Sequence, residues 1–165
     1  MVIFMLNVNI ITVGKLKEKY LRDACNEYCK RLGAYCKIKI VELNESRLSN
    51  NPSEKEIQNA LSVEADSMMP FIQIKNSYNI AMCIEGTQMG SIEFSDKIEQ
   101  ITVSGNSTIN FIIGSSFGIS PEIKNKSNYR MSMSKMTFPH QLARVMLTEQ
   151  IYRAFQILSN GKYHK

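Results

Sequence analysis

The chain has no tryptophan, only four prolines and two histidines in 165 residues, and no segment dominated by glycine or proline. That excludes collagen-like and low-complexity architectures. No apolar run approaches the ~20 residues a membrane-spanning helix requires, since the segment Ile109 to Ile113 already stops at Gly114. The N-terminus, Met1 to Val13, lacks a leading positive charge and a small-residue cleavage pattern, so a cytoplasmic protein is expected. Cysteine is sparse too. Cys25, Cys29, Cys36 and Cys83 form no C-x-x-C pair, and the spacing of Cys25 and Cys29 puts them on one helical face beside Tyr28 and Leu32. They read as small buried hydrophobes in a reducing compartment, with no disulfide and no metal expected. What is present, 44% hydrophobic and 21% charged residues, suits one compact domain spanning residues 1–165.

Acidic residues are scarce in one place. The formal net charge is +5, yet residues 1–120 are nearly balanced. From residue 121 onward only Glu122 and Glu149 oppose Lys124, Lys126, Arg130, Lys135, Arg144, Arg153, Lys162 and Lys165. A basic surface confined to one part of a small protein suits a polyanion, because neutralising phosphates releases counterions. A solvated face that only aids solubility gives the same arithmetic.

Strands and helices alternate. Strands are expected at 5–13, 37–43, 79–85, 108–113 and 129–134. Helices are expected at 16–32, from the capping box Ser53/Glu56 towards Met68, at 91–103, briefly after Ser120-Pro121, and from Pro139 to about Leu158. The fold class is therefore α/β with a mostly parallel sheet. The last helix carries apolar residues on more than one face, so it is either enclosed within the domain or meets a second subunit.

Ligands of open α/β sheets sit beyond the carboxyl ends of the strands. Three segments stand there: 81–86, 113–118 and 133–140. The second, Gly114-Ser115-Ser116-Phe117-Gly118, lets a ligand approach the backbone. The third mixes hydroxyl and amide donors with apolar side chains, as an adenosine-bearing cofactor would need. Neither a dinucleotide fingerprint nor a P-loop nor a G-x-S-x-G elbow occurs, so a hydrolase using Ser115 or Ser116 has little to stand on.

The segment Ser134-Lys135-Met136-Thr137-Phe138-Pro139-His140-Gln141-Leu142, its continuation Glu149 to Phe155, and the ending Tyr163-His164-Lys165 closely resemble the ribosomal RNA large subunit methyltransferase H family, pseudouridine N3-methyltransferases of the SPOUT class. The opening Ile11 to Lys17 and the Ile113-Gly114 loop fit the same family, so the resemblance runs from about residue 7 to residue 165. It implies a SPOUT fold with a C-terminal trefoil knot, and a homodimer with each cofactor pocket at the subunit interface. It further implies S-adenosylmethionine as cofactor and, as substrate, a pseudouridine in the stem-loop of 23S rRNA that faces the small subunit of an assembled ribosome.

By the same resemblance the cofactor pocket would use Met82, Gly114, Met133, Ser134, Lys135, Met136, Thr137 and Phe138. The imide proton on N3 must leave before that nitrogen attacks, so a base or a nearby cation is needed. Arg144, His164 and Tyr163 are the candidates for catalysis. Arg153, Lys162, Lys165 and His140 are the candidates for RNA contact. Two positions depart from the family pattern. Ser115 stands where a second glycine is usual, which adds strain if that position needs a positive φ. Cys83 stands where an acid is common. A non-catalytic RNA-binding or ribosome-associated module that keeps the fold is the competing expectation, and Ser115 is the feature that favours it.

Overall fold

The structure, a computed structural model, describes residues 5–165. The reading of Met1 to Val13 as lacking a signal pattern rests in part on residues 1–4, which lie outside that range. The elements follow in the expected alternation. They are β1 Asn7–Val13, α1 Lys19–Leu32, β2 Lys37–Leu43, α2 Glu54–Ile72, β3 Ser77–Gln88, α3 Ser91–Val103, β4 Thr108–Ile113, α4 Pro121–Lys126, β5 Tyr129–Ser132 and α5 His140–Leu158.

The five strands form one sheet in the order β2-β1-β4-β3-β5, and every pair is parallel. Because successive strand residues face opposite sides, β1 sends Val8 and Ile10 to one layer and Ile11 and Val13 to the other. The first layer is closed by α1, α3 and α5 through Leu32, Phe94, Ile98, Leu147 and Ile151. The second is closed by α2 and α4 through Ala65, Met68, Ile72 and Ile123. All six residues of β4 are buried, as a central strand covered on both faces requires.

Three asparagines cross the sheet in register. Asn9, Asn110 and Asn79 are paired neighbours on β1, β4 and β3. Asn9 Nδ2 donates to Asn110 Oδ1 at 2.9 Å, and Asn110 Nδ2 donates to Asn79 Oδ1 at 2.8 Å and to the Phe71 carbonyl at 3.0 Å. Asn79 Nδ2 in turn donates to the Ile72 carbonyl at 2.8 Å. The last carbonyls of α2, which have no partner within a helix, are thereby satisfied from the sheet. That explains why α2 continues past Met68 and through Pro70 to Ile72.

Other boundaries move for local reasons. α1 begins at Lys19 rather than residue 16, because Arg22 Nη1 draws the Leu16 and Lys17 carbonyls (2.9 and 2.6 Å) into a loop. β3 continues beyond Gly86 after a register shift between Met82 and Thr87. A Cβ on Gly86 would lie 2.6 Å from the Met131 carbonyl carbon, so only glycine lets the strand cross β5 so closely. β5 ends at Ser132, whose hydroxyl donates to the Ser134 carbonyl at 2.9 Å.

From β3 the chain moves inward to β4, then passes by α4 over β3 to become the edge strand β5. The parallel arrangement opens the loops after β3, β4 and β5 at one sheet edge, and α5 starts from that edge.

Candidate functional site

Those loops enclose a cavity of about 600 Å³, within the ~300–1,000 Å³ of small-molecule sites. Its floor is Ile113 and the turn Gly114 to Gly118. One wall is Met82 to Glu85 of β3, and the opposite wall is Met131 to Ser134, Met136 to His140, and Ala143 and Leu147 of α5. Of the residues assigned to the cofactor, Met82, Gly114, Met133, Ser134, Met136, Thr137 and Phe138 all line it. Lys135 is exposed and does not. Ser134 shapes this wall, since its hydroxyl accepts from the Met136 amide at 3.0 Å.

The floor is a tight turn. The Gly118 amide donates to the Ser115 carbonyl at 2.9 Å, and a Cβ on Gly114 would lie 2.1 Å from the Gly118 carbonyl oxygen. The positive φ of the turn, 85°, falls on Gly118 and not on Ser115. The strain expected at Ser115 is therefore absent, because the left-handed position is three residues further on. The Ser115 side chain instead points away from solvent and donates from Oγ to Glu64 Oε2 at 3.2 Å.

Glu85 and Lys124, both lining the cavity, form an ion pair between β3 and α4. The Lys124 ammonium holds the Glu85 carboxyl below the usual carboxylate range, whereas burial and then the Glu85 charge push the Cys83 thiol up. Cys83 therefore presents a neutral thiol where an acid was the expected residue, and a carboxylate stands two positions along the strand. Residue type and spacing did not single out Lys124. It stands only among the eight basic residues of the C-terminal part, and the signal that could have set it apart is its place one turn after the Ser120 cap, on the short helix that follows the glycine turn.

The remaining assigned residues lie elsewhere. His140, half-buried in the first turn of α5, lines the cavity. Arg144, one position beyond Ala143, turns to the other side of α5 and pairs with Glu42. Tyr163 and His164 fold back along α5: the Tyr163 hydroxyl donates to Glu149 Oε1 at 3.1 Å, and His164 Nδ1 lies 3.3 Å from Arg153 Nη1. Burial and hydrogen bonding to Tyr28 and Glu149 raise the Tyr163 phenol well above its ordinary range, so it stays protonated. Arg153 is itself paired with Glu149 at 2.6 Å and stacks on the Tyr163 ring, while Lys162 and Lys165 are exposed. Within one chain Arg144 is thus separated from the pair Tyr163 and His164, and none of the three lines the cavity.

Glu149 belongs to a second cavity of about 490 Å³, bounded by Tyr28, Ser91, Phe94, Met146 and Gln150, which shares Met131 to Met133 with the first. Among the described residues no group of three or more His, Cys, Asp or Glu is placed to hold a metal, and no helix is long and apolar enough to cross a membrane.

Residues 6–164 match the family model described as "Predicted SPOUT methyltransferase". The chain is 51% identical over 160 residues to the ribosomal RNA large subunit methyltransferase H of Clostridium beijerinckii, covering 97% of this chain and all of the relative. Among solved structures, a probable methyltransferase from Bordetella pertussis superposes with a TM-score of 0.53 at 10% identity, over 92% of this chain and 97% of its own. A ribosomal RNA small subunit methyltransferase E from Neisseria gonorrhoeae, solved bound to S-adenosyl methionine, gives 0.50 at 12% identity, over 93% of this chain and 66% of its own.

Proposed function

The chain belongs to the SPOUT methyltransferase family, on its ribosomal RNA large subunit methyltransferase H branch, and from that premise we propose that it carries a methyl group from S-adenosylmethionine to N3 of a pseudouridine. The target lies in the stem-loop of 23S rRNA that faces the small subunit, in assembled ribosomes in the cytoplasm. The observation that carries the reading is the cavity, where three loops distant in sequence converge and seven of the eight residues assigned to the cofactor lie together.

The residues present fit that cofactor. The Gly114 turn offers backbone groups at close range for a nucleoside, and Met82, Met136 and Phe138 offer apolar contact. When bound, the cofactor's sulfonium supplies a methyl group already activated for displacement, so the protein's task is alignment and removal of a proton. His164 accepts the imide proton from N3 as that nitrogen takes the methyl. Tyr163, held protonated, donates to Glu149 and so keeps the tail against α5, which sets the place of His164. Arg144 acts as a positioning residue, tying the start of α5 to β2 and to the loop after β1. Lys162, Lys165, Arg153, His140 and the exposed Lys135 meet phosphates.

In this reading two copies form a homodimer, and the tail of one subunit serves the substrate side of the other's cavity, while the walls around the cofactor come from a single chain. Support comes from α5. Leu142 is 38% exposed, and Met146, Tyr152, Phe155 and Leu158 are only partly buried in the single chain. The passage from β4 over β3 to β5, next to the closed Gly114–Gly118 turn, supports the knotted topology.

The test is methyl transfer from labelled cofactor to ribosomes lacking the modification, with mass mapping of the product nucleotide. Label at N3 of the expected pseudouridine is the predicted result. Ribosome binding by a folded protein that binds no cofactor would leave a non-catalytic RNA-binding module instead.

A further inference from the structure

Glu64 is a carboxylic acid with 3% of its surface exposed, on the face of α2 that also buries Ala60, Ala65 and Met68. An aliphatic residue would pack there without a desolvation cost. Among the described residues no lysine or arginine pairs with Glu64. Its surroundings are the Ser115 hydroxyl, which donates to Oε2 at 3.2 Å, the backbone N–H of Ser46, and the more distant Glu45 carboxylate. Ser115, itself 7% exposed, lies within the turn that floors the cavity, and its carbonyl accepts the Gly118 amide. One hydrogen bond therefore separates a buried acid of α2 from the surface that meets the ligand.

We infer that Glu64 is a positioning residue for the cofactor cavity, fixing the Gly114–Gly118 turn to α2 through the Ser115 hydroxyl. The inference rests on the methyltransferase reading for its consequence, but not for its geometry. A glycine at position 115 would leave the acid without this donor. The serine, which departs from the family pattern, is what lets this chain anchor the turn by a side chain. In the methyltransferase reading the turn holds the cofactor's nucleoside and not the transferred methyl, so its loosening would affect uniform binding.

Three variants and two readouts decide the matter. Glu64→Ala and Ser115→Ala should each raise the KM and Kd for S-adenosylmethionine ~10-fold, the size of one hydrogen bond, with kcat nearly unchanged. Glu64→Gln, which keeps an acceptor for Ser115, should restore affinity to within about twofold. In the cofactor-free protein, amide hydrogen exchange at Ser115 to Gly118 should accelerate in both alanine variants and stay protected in Glu64→Gln. Should Glu64→Ala not fold, Ser115→Ala decides alone, since it removes only a hydroxyl. Unchanged exchange and unchanged affinity in Ser115→Ala would overturn the inference. An unmodified protein that binds no cofactor while its turn exchanges faster on Ser115→Ala would instead overturn the methyltransferase reading and leave the anchor standing.

Discussion

Arg144 reaches across from α5 to Glu42 at the end of β2, Nη1 to Oε2 at 2.7 Å, with the arginine side chain 2% exposed and the glutamate 36%. Its Nη2 donates to the Gly14 carbonyl at 3.0 Å, and Nε has no partner among the described residues. Gly14 needs its positive φ of 83° at this point, where its amide meets the Leu43 carbonyl at 2.8 Å. One guanidinium thus joins α5, β2 and the loop after β1.

Replacing Arg144 by alanine leaves Glu42 in contact with water but removes a buried guanidinium and its bond to the Gly14 carbonyl, so the loss of stability should be ~1–2 kcal/mol in denaturant unfolding. Lysine cannot make both contacts, so Arg144→Lys should recover only part of this. A variant that keeps the stability of the unmodified protein yet methylates no ribosomes would show that the arginine works on the substrate instead.

Gly114 faces the Gly118 carbonyl so closely that even a methyl group has no room. Gly114→Ala should therefore displace the turn and lower cofactor affinity by ~10-fold or more, equivalent to at least ~1.4 kcal/mol, while the oligomeric state stays unchanged. Calorimetric titration with S-adenosylmethionine measures it. An unaltered affinity would mean that the turn is not a wall of the cofactor site.

Burial, acting first, raises the Glu64 carboxyl above its ordinary value of 4.5, opposed by the Ser115 hydroxyl and the Ser46 amide. Between that ordinary value and the raised one, the folded protein holds a proton that the unfolded chain has released. The group's contribution is complete below pH ~4.5 and is lost as the pH rises through the folded value. Glu64→Gln has no proton to lose. Its stability relative to the unmodified protein should consequently be higher at pH 7 than at pH 4, by unfolding at the two pH values. A constant difference would mean that folding does not shift the carboxyl from its ordinary range, and a difference of the opposite sign that the fold favours the ionised form.

Much of this molecule was legible because two periodicities report burial directly. The alternation in Lys37 to Leu43 and the helical spacing from Leu16 to Leu32 each place a whole element, and Ser53 with Glu56 forms the expected capping box. Boundaries moved where a distant residue intervened. Nothing in Phe71 or Ile72 announces that Asn110 and Asn79 will cap them, since that contact exists only once three strands are in register. The site divides in the same way. Its loops could be found from their place after strands, but Lys124 and Glu64 come from elements that contribute a single side chain each. The separation of Arg144 from Tyr163 and His164 was invisible to residue type, because all three suit the same chemistry and only the direction of α5's faces distinguishes them.

Tyr163 to Lys165 touch Glu149 and Arg153 but no residue of the cavity floor. Deleting these three residues should leave cofactor affinity intact, because the glycine turn and the Met133 to Phe138 wall do not lean on them. Methylation of ribosomes should fall to background, since the proposed proton acceptor and the hydroxyl that holds it in place go together. Arg153 keeps its pairing to Glu149, so α5 should not unravel. Ribosome binding should persist with a weaker dependence on salt. Every phosphate that is no longer neutralised makes the log–log slope shallower by ~0.7–0.9, and Lys165 neutralises one of them in this reading. Filter binding across a salt series, run beside calorimetry and the transfer assay, separates these effects. A truncated protein that methylates at the normal rate would place both the proton transfer and the docking elsewhere, with His140 at the cavity rim the first group to test.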